Sequence, residues 1–283
     1  MPSRVLALPF VIAALVLLYL TWEVDESYSV YIIPFALILA IIYVLSPQIN
    51  WRWYKRRPPK LDPPLRMLLE KQHHFYQQLP AAEQQRFRER VALYMIAHEY
   101  MPQGMESVPE DIKAVVAINA VHLSFGREDF IMEPFERMVV YPKPFPSPQF
   151  PEKFHASELY EEDGVLLFAA EQLMRSYLQP RQYYNIGLHE FAKVFLHLHP
   201  DAGWPDKGAG IWEKLEQISN FSREAIARWI NLPEPAIPAR AVMISHFLVF
   251  PKQFKETLPK AYEKLKEIFN LDPAEQELDA GFD

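Results

Sequence analysis

Two long apolar runs open the chain, Val5 to Trp22 and Tyr28 to Leu45, and neither contains a charged residue. As helices they would each be about 27 Å long, enough for a bilayer core of roughly 30 Å. A cleaved signal peptide is the competing reading of the first run. No small-residue cleavage site follows it, however, and the second run begins a few residues later. The pattern therefore predicts a two-helix transmembrane hairpin with spans of about 5–22 and 28–45. Beyond residue 60 the texture changes to that of a globular domain. Helical spacing predicts helices over Leu65 to Leu79, Ala82 to Glu99, Val108 to Phe125, Tyr184 to His199, Ile211 to Ile230, Ala239 to Phe250 and Phe254 to Phe269. Between them, Phe135 to Tyr141, Gln149 to Leu159 and Val165 to Leu173 read as short strands set apart by Pro clusters and by Asp163-Gly164. Helices, then a small sheet, then helices predict an α+β domain over 61–283 that is mostly helical. Residues 1–60 form the hairpin and a basic, Pro-rich linker ending in Pro58-Pro59-Lys60-Leu61-Asp62-Pro63-Pro64.

Charge orients the hairpin. The loop between the runs, Glu23 to Ser27, is acidic, whereas Arg52, Lys55, Arg56, Arg57 and Lys60 follow the second run among Trp51, Trp53 and Tyr54. An aromatic belt with a basic flank places the following domain on the cytoplasmic side of a bacterial inner membrane, and Arg4 puts the N-terminus there too. After residue 60 there are 23 basic and 33 acidic residues, a balance that repels a phosphate backbone and excludes nucleic acid as a partner. The chain has no cysteine, so a zinc site would need His, Asp or Glu.

The stretch His189-Glu190-Phe191-Ala192-Lys193 carries the candidate chemistry. In H-E-x-x-H, two histidines one helical turn apart hold zinc and the glutamate is general base to the metal-bound water. Here the second histidine position is Lys193, whose ammonium has three donors and no lone pair. It lies within i,i+3 reach of Glu190, so it can occupy the metal's space and balance the carboxylate. His197, at i+8, is about 12 Å further along the axis, and His199 stands at the helix end before Pro200; both read as helix-terminal side chains. Glu161-Glu162-Asp163 reads as solvated surface, with calcium as the alternative.

From about His73 to Pro273 the chain resembles the zinc peptidases related to Mlc titration factor A, whose catalytic fold is gluzincin-like. The resemblance is carried by Phe75 with Leu79-Pro80, Phe87, Val91, Val139-Val140-Tyr141-Pro142, Phe145 and Gly164-Val165-Leu166-Leu167. It continues through Asn185 to Ala192, then Gly203, Pro205, Trp212, Phe247, Pro251, Phe254, Pro259, Tyr262, Phe269 and Asp272-Pro273. It implies zinc as cofactor, Glu190 as catalytic base and His189 as a metal ligand. The family has histidine where Lys193 stands and a downstream glutamate as third ligand. Aligned on Ser245, that glutamate falls at Ala239 and a later one at His246. His246 with His189 and a carboxylate, Glu234 or Glu213, is the alternative ligand set. Two functions are therefore expected: a membrane-anchored, non-catalytic peptide- or protein-binding module without metal, or an active zinc peptidase with rearranged ligands. Phe168, Tyr177, Tyr183 and Tyr184 would line a peptide groove beside the Val165–Leu173 strand. By family analogy, a transcriptional regulator is an expected partner.

Overall fold

A computed structural model describes residues 1–276; the last seven positions of the domain expected over 61–283 lie outside the described residues. The chain divides into two compact units at Pro59/Lys60.

In the first unit, α1 (Pro2–Glu23) and α2 (Ser29–Val44) pack side by side, joined through a 3-10 turn at Glu26–Tyr28 that Asp25 caps. Pro2–Glu23, and Glu26–Val44 counted with the 3-10 turn, are each long and apolar enough to cross a membrane. Val5, Leu8, Ile12, Leu15, Ile33, Leu37 and Ile41 all point outward. A two-helix hairpin has no core in which to bury such residues. Pro9 and Pro34 sit inside the helices. The aromatic and basic segment continues as a third helix, α3 (Ser46–Arg56), ahead of the extended Pro-rich stretch.

The second unit is mostly helical around a mixed four-stranded sheet of order β1-β2-β4-β3. Its strands are β1 (Glu99–Pro102), β2 (Arg137–Tyr141), β3 (Ser157–Tyr160) and β4 (Val165–Ala169). β1 and β4 run parallel to β2, with Glu99 opposite Arg137 and Arg137 opposite Val165, while β3 runs antiparallel to β4, with Ser157 opposite Phe168. The central helix α7 (Glu110–Ser124) is buried on every face from Ala114 to Ser124, in keeping with a stretch that is apolar apart from Asn119, His122 and Ser124. Against it pack α6 (Ala81–Ala97), α8 (Ala170–Leu178) and α9 (Ile186–Leu198), and α9 in turn packs on β3 and on α12 (Ala239–Val249).

Six differences separate the structure from the sequence expectation. The helix expected over Leu65–Leu79 is two, α4 (Pro63–Gln72) and α5 (His74–Gln78), because His73 adopts an extended backbone. The helix expected over Ile211–Ile230 is also two, α10 (Ile211–Ser219) and α11 (Arg223–Ile230). Asn220 in the left-handed conformation ends the first, and the Ser222 hydroxyl caps the second. Leu258 leaves the helical conformation before Pro259, which has no N–H to continue the ladder, so Phe254–Phe269 divides into α13 (Pro251–Thr257) and α14 (Pro259–Phe269). The strand expected over Val165–Leu173 ends at Ala169, where α8 begins. The strand expected from Gln149 is confined to β3, and β1 occupies the end of what reads as a helix. A last turn of helix, α15 (Pro273–Gln276), closes the described chain.

Candidate functional site

The motif lies on α9, whose first turn is capped by Asn185 accepting a 3.0 Å hydrogen bond from Leu188 N. Gly187 permits the helix to lie close against α7 and α8, since a Cβ there would sit 2.5 Å from Asn119 Nδ2 and 3.1 Å from Leu173 Cδ1. Two residues later, His189 and Glu190 are buried at 1% and 0% exposure.

Both Glu190 oxygens accept a hydrogen bond. Oε2 accepts a hydrogen bond from Lys193 Nζ at 2.8 Å, and Oε1 accepts one from Ser157 Oγ on β3, also at 2.8 Å. Burial pushes the Glu190 carboxyl up. The Lys193 ammonium, the neighbouring His189 and the two donated hydrogen bonds outweigh it, so the carboxyl is held below its ordinary value and stays ionised at neutral pH. The Lys193 side chain is itself only 15% exposed, so this pair is screened far less than a surface salt bridge. A hydrogen bond of 2.7 Å joins His189 Nδ1 to Tyr184 Oη. Burial, with the Lys193 charge assisting, lowers the His189 pKa to about 4 against the opposing pull of Glu190, so the ring is neutral at pH 7.

His246, on α12, is fully buried, and neither ring nitrogen has a hydrogen-bond partner among the described residues. Tyr184 contacts both candidate histidines edge-on, with ring centroids 5.4 Å from His189 and 6.1 Å from His246. Ser245 hydrogen-bonds the same phenol. Tyr184 thus links α9 to α12 in the place where the alternative ligand set was expected. Of the two carboxylates named for that set, Glu234 is paired elsewhere and Glu213 is exposed on the surface. Glu234 faces Arg223 at 3.4 Å and Glu213 stands beside Gly210 at the start of α10. Ala239, the position aligned with the third ligand, is a buried alanine. Among the described residues, no group of three His, Cys, Asp or Glu side chains is placed to hold a metal ion.

The other sequence candidates are peripheral. His197 lies 3.3 Å from Glu161 and edge-on to Phe135, and His199 lies 3.6 Å from Asp129, so both belong to surface contacts near the end of α9. The expected groove beside β4 is corrected by the topology. β4 lies inside the sheet, and Phe168, Tyr177 and Tyr184 are core side chains. The edge strand on that side, β3, is buried at Ser157, Glu158 and Leu159, and just before it Ala156 N donates to Ile230 O, the last residue of α11. A cavity of about 760 Å³ is lined by Asn185, Leu188 and Tyr177 among others, but not by His189, Glu190 or Lys193. Sequence reasoning missed Ser157 as the second partner of Glu190 and Tyr184 as the partner of His189. Tyr184 precedes the helix by two residues and offered a local signal. Ser157 is 33 positions from Glu190 and offered none.

A family model described as glucose-regulated metallo-peptidase M90 matches residues 48–199, more than half of the chain and inclusive of the whole motif. The chain belongs to this metallo-peptidase family. Its members are the zinc peptidases of the Mlc titration factor A type, so the resemblance read from the sequence holds over that stretch. The matched segment ends at the close of α9 and leaves Ala239 and His246 outside it. No curated protein matches the chain. A catalytic zinc takes three protein ligands and keeps its fourth position for water. The side chains around His189 do not fit that set in this family member. One ligand position carries an ammonium already bonded to the base, Glu234 is paired with Arg223, and no three candidate ligands come together among the described residues.

Proposed function

We propose that this chain is a membrane-anchored, non-catalytic member of the metallo-peptidase family, with its soluble domain on the cytoplasmic face of the inner membrane and a peptide- or protein-binding role. The observation that carries the reading is the 2.8 Å bond from Lys193 Nζ to Glu190 Oε2. Each Glu190 oxygen already accepts a hydrogen bond, and the Lys193 ammonium holds the carboxyl below its ordinary value, which makes it a weaker base toward an attacking water. Lys193 supplies the positive charge beside Glu190 that a metal would otherwise supply, and the fold keeps its centre without one. For a peptide partner, the strand with accessible backbone is the other sheet edge, β1, which is exposed or half-exposed along its length.

The test is peptidase activity of the full chain against unstructured protein substrates, beside Glu190→Gln. The reading predicts that neither cleaves. Turnover that Glu190→Gln abolishes would overturn it. A second reading, an active zinc peptidase using His189 and His246 as ligands, draws on the two unpartnered nitrogens of His246. It predicts activity that zinc restores after chelation and that His246→Phe removes.

A further inference from the structure

The first unit separates its charges end from end. Its acidic residues, Glu23, Asp25 and Glu26, all lie at the turn between α1 and α2. At the opposite end Ser3 N donates to Asn50 Oδ1 at 2.9 Å, which fixes the start of α1, and Arg4 with it, beside α3, the helix that carries Arg52, Lys55 and Arg56 and is followed by Arg57. None of these five cations has an ion-pair partner among the described residues, and no residue of α3 is buried. Trp51, Trp53 and Tyr54 interleave with them. Lys55 Nζ lies 5.1 Å from the Trp51 ring and the Arg57 guanidinium 4.8 Å from the Trp53 ring. Such pairs hold a cation at the depth of an aromatic ring, and indole and phenol rings settle at the level of lipid headgroups. Guanidinium forks match phosphate oxygens in geometry as well as charge.

We infer that α3 lies in the headgroup layer and, with Arg4, forms a binding site for anionic phospholipid headgroups. This rests on the membrane reading of α1 and α2. Five unpaired cations without an intervening carboxylate need counter-charge, and a leaflet rich in phosphatidylglycerol-type lipid supplies it within bonding distance. The site would also fix the level at which the Pro-rich stretch leaves the bilayer.

Brominated-lipid quenching of tryptophan fluorescence tests this on the full chain carrying Trp22→Phe, reconstituted in phosphatidylcholine bilayers. An equal minor fraction of either brominated phosphatidylglycerol or brominated phosphatidylcholine is included. The expected result is a local preference of about tenfold for the brominated anionic lipid, equivalent to about 1.4 kcal/mol. That preference should be lost in the variant combining Arg52→Gln, Lys55→Gln, Arg56→Gln and Arg57→Gln, and should weaken in high salt. Equal quenching by the two lipids, or a preference that survives the fourfold variant, overturns the headgroup site alone. Quenching by neither lipid overturns the membrane reading and the site with it. Displacement of the anionic lipid by single-stranded RNA would assign the cluster to nucleic acid instead and also overturn the proposal.

Discussion

Lys193 and Glu190 form a pair whose value depends on both members remaining. Removing the ammonium leaves a carboxylate with 0% exposure and no counter-charge, which costs about 3 kcal/mol in comparable buried pairs. Lys193→Met is therefore expected to lower the urea midpoint of the full chain sharply at pH 7.5. The sign with pH follows from the direction of the shift. Glu190 titrates below its ordinary value in the folded state, so the pair stabilises above about pH 4.5 and that contribution fades as pH falls through the lowered value. The gap between Lys193→Met and the parent should accordingly narrow at pH 4; a constant gap would mean that lost packing, not lost charge, sets the cost. Ser157→Ala removes one of two donors to the same carboxylate and should cost about 1–2 kcal/mol by the same measurement. The Lys193–Glu190 contact was legible because i,i+3 spacing on a helix is fixed by geometry. The Ser157 contact was not, because only the docking of β3 on α9 brings it there.

Helix α9 reaches its place through a glycine. Gly187→Ala would push a methyl group into Asn119, whose Nδ2 now donates to Val115 O at 2.8 Å, and against Leu173. The expected cost is about 2 kcal/mol, read as a lower thermal midpoint, with the Glu190 contacts preserved in a structure of the variant. An unchanged midpoint would show that α7 and α9 have slack between them. At this scale the sequence was informative where apolar spacing and Pro mark an element, as for α7, α9 and α12. It was less so where a single residue's backbone divides one pattern in two, as at His73, Asn220 and Leu258. Apolar spacing continues across such breaks, since both halves face the same core, and the pattern cannot register the bend. β1 was hidden for a related reason. Four residues directly after a long helix carry no alternation of their own, and pairing with β2 decides their conformation.

Over the whole molecule, several imidazoles are buried in the neutral form. Burial lowers His73 to about 3 and His98 to about 4, against backbone hydrogen bonds in the latter case, and places His122 well below its ordinary value. In the unfolded chain each would bind a proton near pH 6.5, so the stability they confer is complete above that value and lost as pH falls below it. Each should contribute a loss of roughly 1 kcal/mol between pH 7.5 and 5.5. The urea midpoint should fall over that interval, and His122→Phe, if it folds, should shrink the fall. The mostly helical fold with its small sheet and the family were legible from apolar spacing and ordered signposts, whereas the way Tyr184 joins α9 to α12 was not. The central claim is that Lys193 has taken the place of the metal. The most direct measurement is the zinc content of the full-length chain, purified without chelator from zinc-supplemented cells, together with that of His189→Ala. The account predicts far less than one zinc per chain in both proteins and a thermal midpoint that chelator leaves unchanged. About one zinc per chain, lost in His189→Ala, would contradict it.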